Sequence, residues 1–167
     1  PSSGFHSNGY SLLRKIVDEE GLSWDSDCPI DPTKSLGETL LEPTRIYQNL
    51  LGPLIARGLI SGLSHITGGG ITENLPRILP KSCSFEIDLT TWKLPEIIAW
   101  FIDHSKMNQK EALRTLNCGI GMIAVVSNQN LNSAKNYLST LNEPFFQIGR
   151  VVNEKQNSYV GNLGNYK

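Results

Sequence analysis

Carboxylates are nowhere gathered in this chain. Its 16 Asp and Glu residues are scattered, and none belongs to a cluster of the kind that holds magnesium between phosphates. ATP chemistry run by this chain alone is therefore not expected. Histidine is scarce too, at 3 residues, too few to argue a Ser-His-Asp arrangement. The 3 cysteines, Cys28, Cys83 and Cys118, are odd in number, far apart and without a C-x-x-C pair. That argues against a disulfide framework or a zinc site and fits a reducing compartment. With a formal net charge of -1, no global positive field exists to draw a nucleic acid or an anionic membrane, so any anion site must be local. The tryptophans lack the interleaved basic residues of a single-strand nucleic-acid reader. No apolar run is long enough to cross a bilayer, and the first residues lack the layout of a signal peptide. The expectation is a cytoplasmic protein whose partners include neither nucleic acid nor membrane. There is no internal repeat and no low-complexity tract.

What is there suits one domain over residues 1–167 with its own core, 39% of the chain being hydrophobic. The chain begins at Pro1 rather than Met, which suggests a piece of a longer protein. Leu12, Leu13, Ile16 and Val17 recur at helical spacing and predict a helix over Asn8 to Glu20, stopped by Gly21. Leu22 to Lys34 reads as a surface loop, followed by a short helix over Leu36 to Leu41 that Pro43 stops. A longer helix is expected from Thr44 to Arg57, with Gly58 as its stop. "LISGLSHI" reads as a strand, "TGGGITENLPRILP" as a glycine turn with a short helix ended by Pro80, and "SFEIDL" as a second strand. Pro95 can occupy the first position of a helix reaching His104, and Asn108 with Glu111 resembles a capping box for a helix ending near Thr115. "MIAVVS" has the look of a buried strand, a helix over Asn130 to Leu141 follows, and "FFQIGRVV" with "NSYVGNL" is expected to close the chain as a hairpin. Without strict alternation, these elements predict an α/β (α+β) fold, a mixed sheet with helices packed on its faces.

Four stretches carry residue types suited to chemistry. In "GFHSNGYSLLRK", His6, Ser7, Asn8 and Gly9 stand at the mouth of the first helix, where unpaired N–H groups and a partial positive charge attract phosphate or carboxylate. Plain capping by Ser7 or Asn8 is the rival explanation. In "SHITGGGITENLPR", Thr67 leads into Gly68, Gly69 and Gly70, a run that can form a concave nest of N–H groups. It lacks the Lys-Ser/Thr of a P-loop and the spacing of the dinucleotide fingerprint. One glycine would satisfy a tight turn, whereas three in a row argue for something lying against the backbone. His65 is either a ligand-facing group or a half-buried strand residue, and Asn74 and Arg77, one helical turn apart, either share a functional face or lie on the surface. In "RTLNCGIGM", Asn117 either presents its amide at a strand edge or joins Gly119 and Gly121 in close packing. In "LLEPTRIY", Thr44 is an adequate cap, and Arg45 is either solvated or a phosphate clamp.

Together and in this order, "SSGFHSNGYSLLRK", "LEPTRIY", "HITGGGITENLPR" and "RTLNCGIG" resemble the C-terminal half of aminoimidazole ribonucleotide synthetase, the purine-pathway cyclo-ligase. The resemblance implies ATP-dependent ring closure of formylglycinamidine ribonucleotide, in which the formamide oxygen is phosphorylated, the amidine nitrogen attacks and phosphate leaves. It also implies an N-terminal half, absent here, that forms a homodimer core and binds most of the ATP and Mg2+. Under this resemblance His65 and His6 are the catalytic candidates. Ser7, Asn8, Gly9, Thr44, Arg45, Thr67, Gly68, Gly69, Gly70, Asn74, Arg77 and Asn117 are the substrate- and phosphate-binding candidates, and no metal ligand is expected. Cys118 resembles the animal enzymes, in which the synthetase is the middle module of a trifunctional protein. The alternatives are a non-catalytic metabolite-binding module or another enzyme of the same ATP-dependent superfamily, such as the formylglycinamidine ribonucleotide amidotransferase. If the anion-site reading is right, the donors of the first two stretches converge on one cleft.

Overall fold

Helix α1 spans Tyr10–Glu19 and buries Leu13, Ile16 and Val17, one apolar stripe. It starts later than its pattern predicts because the chain before it is left-handed at His6 (φ 51), Ser7 (φ 61) and Gly9 (φ 76). Its end is closed by Leu22 N–H on Val17 O (2.9 Å) and Gly21 N–H on Asp18 O (3.2 Å), the paired bonds of a Schellman stop. The computed structural model describes residues 1–164.

Where a loop was expected, strands β1 (Asp27–Cys28) and β2 (Asp31–Ser35) form a small antiparallel hairpin. Such short, polar strands carry no alternation to read, and their anchor is the buried side chain of Cys28. Helix α2 (Leu36–Leu40) follows, started by a capping box between Ser35 and Glu38.

Helix α3 covers Gln48–Ala56, so the expected start at Thr44 is wrong. Residues 41–47 are instead tied across the molecule. The Ser3 hydroxyl donates to Pro43 O (2.6 Å), and the Arg45 N–H lies 3.4 Å from His6 Nε2. These tertiary bonds outweigh the local capping signal.

Strand β3 (Gly62–His65) pairs antiparallel with β5 (Met122–Val125), His65 opposite Met122. β5 is not the fully buried strand expected, since Ile123 is buried but Ala124 is exposed. Between them come α4 (Gly70–Asn74), a 3-10 turn over Leu75–Ile78, and β4 (Ser84–Asp88). They are followed by α5 (Glu96–Ser105), with Pro95 at its cap rather than its first position, and α6 (Gln109–Thr115), with the predicted Asn108–Glu111 capping box. Helix α7 (Leu131–Thr140) precedes β6 (Gly149–Val152) and β7 (Ser158–Val160). These last two strands do not form a hairpin. β4 lies between them, antiparallel to β6 and parallel to β7, so the sheet is mixed. The fold is α/β as expected, though its strands are divided among three small sheets.

The main core packs Leu13, Ile16 and Val17 of α1 and Ile98, Phe101 and Ile102 of α5 with Phe85 and Ile87 of β4. Each such side chain contributes about 1.5–3 kcal/mol on burial. Phe5 enters this core edge-on to Phe101, with ring centroids 5.3 Å apart, and so seats the segment before α1. A smaller cluster joins Tyr47, Leu51 and Leu54 to Ala134 of α7. No helix among the described residues is long and apolar enough to cross a membrane.

Candidate functional site

The segment before α1 is held in an unfavourable conformation. Left-handed backbone at two successive non-glycine residues, His6 and Ser7, costs energy, and a dense set of bonds maintains it. The Asn8 side-chain amide donates to Phe5 O (3.2 Å) and His6 O (3.0 Å), and the Asn8 backbone N–H also donates to Phe5 O. The buried Asn117 donates to Gly4 O (2.7 Å) and accepts from Gly119 N–H (2.8 Å). The first helical turn has no side-chain cap, Gly9 occupying the cap position. The plain capping explanation for Ser7 and Asn8 therefore fails.

The glycine turn lies alongside. A Cβ at Gly68 would sit 3.8 Å from Asn8 Oδ1, so the first and third stretches in chain order meet. Asn8 spends its N–H2 on carbonyls, which leaves its Oδ1 toward Gly68. Among the described residues the N–H groups of Gly68 and Gly69 find no acceptor, while that of Gly70 donates to Thr67 O (3.0 Å). The inference from three successive glycines needs correction. Gly70 has φ +57, and its Cβ would lie 2.1 Å from Leu113 O, so the fold itself excludes a side chain there, and Gly69 is left-handed as well. Only Gly68, exposed and with ordinary clearance, is a glycine the fold does not demand.

Three aromatic rings come from the same stretches, His6 just before Asn8, His65 just before the glycine turn and Tyr47 from "LEPTRIY". His6, Tyr47 and His65 form a near-equilateral triangle, with centroids 6.2 Å apart for the two histidines and 6.3 Å from Tyr47 to each. His65 is exposed at the end of β3, whereas His6 is only 5% exposed. Two backbone donors address His6 Nε2, Ser3 N–H at 3.0 Å and Arg45 N–H at 3.4 Å. Nε2 is therefore the acceptor, and the neutral ring carries its proton on Nδ1, which is buried and finds no partner among the described residues. Burial first, then His65 and Arg45, hold the His6 pKa down at about 4, so the ring is neutral near pH 7. Burial pushes the Tyr47 hydroxyl up to about 12, against a smaller opposing effect of Arg45, and that hydroxyl donates to Pro1 O (2.8 Å).

The remaining candidates divide into facing and supporting residues. Thr44 is exposed and Ser7 is exposed at the mouth of α1. Arg45 is less free than a phosphate clamp requires, because its guanidinium is paired with Glu143 and lies 5.6 Å from the Tyr47 ring centroid. Asn74 is buried, and its amide donates to Thr67 O, Gly68 O and Gly70 O while its Oδ1 accepts from Thr67 Oγ1 and Arg77. Asn74, Thr67 and Arg77 thus hold the shape of the glycine turn, and Asn117 holds the segment before α1. The Asn117 amide is not presented at a strand edge. Tyr47 is not among the residues singled out from the sequence, and Gly121 enters there only as a packing residue. The signal for Tyr47 was its place in "PTRIY" beside Arg45.

Magnesium takes oxygen ligands, largely carboxylates, phosphates and water. Here the facing groups are N–H donors and imidazoles, and among the described residues no three His, Cys, Asp or Glu side chains gather. These residues do not fit a magnesium ion. They fit an oxygen acceptor, such as a phosphate or carbonyl oxygen, with one adjacent hydrogen-bond donor for Asn8 Oδ1.

The chain is 43% identical over 148 residues to the bifunctional purine biosynthetic protein ADE5,7 of Saccharomyces cerevisiae, covering 89% of this chain and 18% of that protein. It is 44% identical over 154 residues to the bifunctional purine biosynthetic protein PUR2,5 of Pichia angusta, covering 92% and 20%. The chain thus spans about a fifth of the length of these relatives. The structure is similar to that of thiamine-monophosphate kinase from Stenotrophomonas maltophilia, with a TM-score of 0.59 at 15% identity over 98% of this chain and 49% of the kinase, a likeness of fold alone. Both sequence relatives are bifunctional. Cys118, which resembles the animal enzymes in type, is fully buried. Residues 1–161 match the family described as AIR synthase related protein, C-terminal domain, and the chain belongs to that family.

Proposed function

We propose that this chain is the substrate-positioning C-terminal half of an ATP-dependent cyclo-ligase that converts formylglycinamidine ribonucleotide to aminoimidazole ribonucleotide in purine biosynthesis. The observation that carries the reading is the meeting of Asn8 with Gly68 beside the His6, Tyr47 and His65 rings. Family membership and the purine-biosynthetic names of the relatives support it. The Gly68 and Gly69 N–H groups hold an oxygen of the ribonucleotide, and Asn8 Oδ1 accepts from a neighbouring hydroxyl or N–H. Fixed donors of this kind stabilise developing charge without reorganising. His65, exposed, is the group placed to exchange protons with substrate, and His6 serves as a neutral, oriented neighbour. ATP and magnesium belong mainly to an N-terminal half preceding this chain, which also forms the homodimer, and the isolated chain is inactive.

The test is turnover of formylglycinamidine ribonucleotide with ATP by this chain joined to its N-terminal half. Wild-type protein releases aminoimidazole ribonucleotide, and His65→Ala lowers kcat at least about a hundredfold, the low end for loss of a general acid or base. No turnover by the joined wild-type protein removes the proposed reaction. Unchanged turnover and affinity in His65→Ala removes that residue from it.

A further inference from the structure

Gly121 lies where two of the three rings meet. A Cβ there would be 2.0 Å from the Tyr47 hydroxyl oxygen, 2.5 Å from His6 Cε1 and 3.0 Å from His6 Nδ1. The residue is buried, and it is not among the glycines with positive φ. Its own backbone conformation therefore does not require glycine; the two side chains do. Meanwhile its carbonyl accepts from Ile66 N–H at 2.9 Å, which ties the start of β5 to the end of β3. The His6 ring is thereby clamped from two sides. Ser3 N–H and Arg45 N–H address Nε2, and Gly121 closes the opposite edge, where Nδ1 has no acceptor among the described residues.

We infer that Gly121 is a positioning residue: the space left by its missing side chain admits the Tyr47 hydroxyl and fixes His6 as an imidazole protonated on Nδ1. The inference rests on the reading of His6 as part of the ligand site. A larger residue at this position forces the Tyr47 hydroxyl and the His6 ring outward, taking Nε2 off its two backbone donors. Once those donors are lost, the preference for the Nδ1–H form goes with them.

The experiment uses this chain joined to its N-terminal half, with 15N-labelled histidine, near pH 7. His65, Tyr47, Arg45 with its partner Glu143, and the Pro1 nitrogen face the ring and are left unchanged in the first comparison. Wild type is expected to show His6 as the Nδ1–H form. Gly121→Ala is expected to shift His6 toward the Nε2–H form and to lower kcat about tenfold or more with little change in KM, the pattern of misplaced catalytic geometry. Adding Tyr47→Phe removes the closer of the two overlaps and is expected to return both the spectrum and kcat part of the way. A folded Gly121→Ala protein with a wild-type His6 spectrum overturns the inference. If Gly121→Ala does not fold, the Gly121→Ala/Tyr47→Phe protein decides: folded with Nδ1–H His6 supports the inference, and unfolded overturns it. Wild-type protein without turnover removes the proposed reaction, and the spectra still decide the role of Gly121.

Discussion

The side-chain amide of Asn117 donates to the carbonyl oxygen of Gly4 at 2.7 Å, across 113 residues of chain. Its Oδ1 accepts from Gly119 N–H at 2.8 Å and lies 3.3 Å from the Ser2 hydroxyl oxygen. One buried side chain thus ties the turn before β5 to the strained segment that presents His6. Asn117→Ala leaves a buried carbonyl and a buried N–H without partners. The expected loss is about 2–4 kcal/mol, read as a lower denaturant midpoint at unchanged slope.

Gly68 and Gly70, two positions apart, respond oppositely to the same substitution. Gly70→Ala must relieve a 2.1 Å overlap with Leu113 O at a left-handed residue, and a melting temperature well below wild type is expected. Gly68→Ala meets nothing closer than Asn8 Oδ1 at 3.8 Å, so its unfolding free energy stays within about 0.5 kcal/mol of wild type. Thermal unfolding of the two variants side by side checks both statements.

Much of the fold was legible because its signals are local. The stripe of Leu13, Ile16 and Val17, the Gly21 stop and the Asn108–Glu111 capping box are fixed within one or two helical turns. Errors arose where a distant partner decides. Pro43 and Thr44 look like a helix start, yet Ser3 and His6 hold that segment in an irregular path. β6 and β7 look like a hairpin, yet both prefer β4, more than sixty residues earlier in the chain. The four motif stretches meet in the fold, but residue type does not separate exposed groups from those propping the turn. Asn74 and Asn117 are ligand-like in type, and only their bonds to backbone groups identify them as supports. Tyr47 stands out by its distance to the two histidines, with only its place in "PTRIY" to mark it in the sequence.

The Arg45–Glu143 pair is partly buried, at 24% and 32% side-chain exposure, and it competes with any anion for the guanidinium. Glu143→Gln removes the negative charge and is expected to cost at most about 1 kcal/mol of stability. It should also strengthen the response to inorganic phosphate, which raises the melting temperature by binding the folded form. The expected result is a larger phosphate-induced rise for Glu143→Gln than for wild type, read by thermal unfolding at equal ionic strength.

His6 makes stability depend on pH in a defined direction. Its folded pKa is lowered to about 4 from 6.5, so between those values the unfolded chain binds more protons than the folded one. Stability therefore rises with pH through this window, is fully present above about 6.5, and falls on acidification toward 4, by at most about 1.4 kcal/mol per unit. His6→Asn, which tolerates left-handed backbone, is expected to flatten that part of the profile. Unfolding free energies at pH 4.5, 5.5 and 6.5 for both proteins test it.

The central claim is that the segment of Asn8 and the turn of Gly68 present one site for a ribonucleotide. It is tested most directly by calorimetric titration of formylglycinamidine ribonucleotide into this chain joined to its N-terminal half, as wild type and as Gly68→Ala. The predicted result is binding weakened at least about tenfold in the variant, or about 1.4 kcal/mol, at an unchanged melting temperature. Equal affinity in the two proteins, with the variant folded, would contradict the claim.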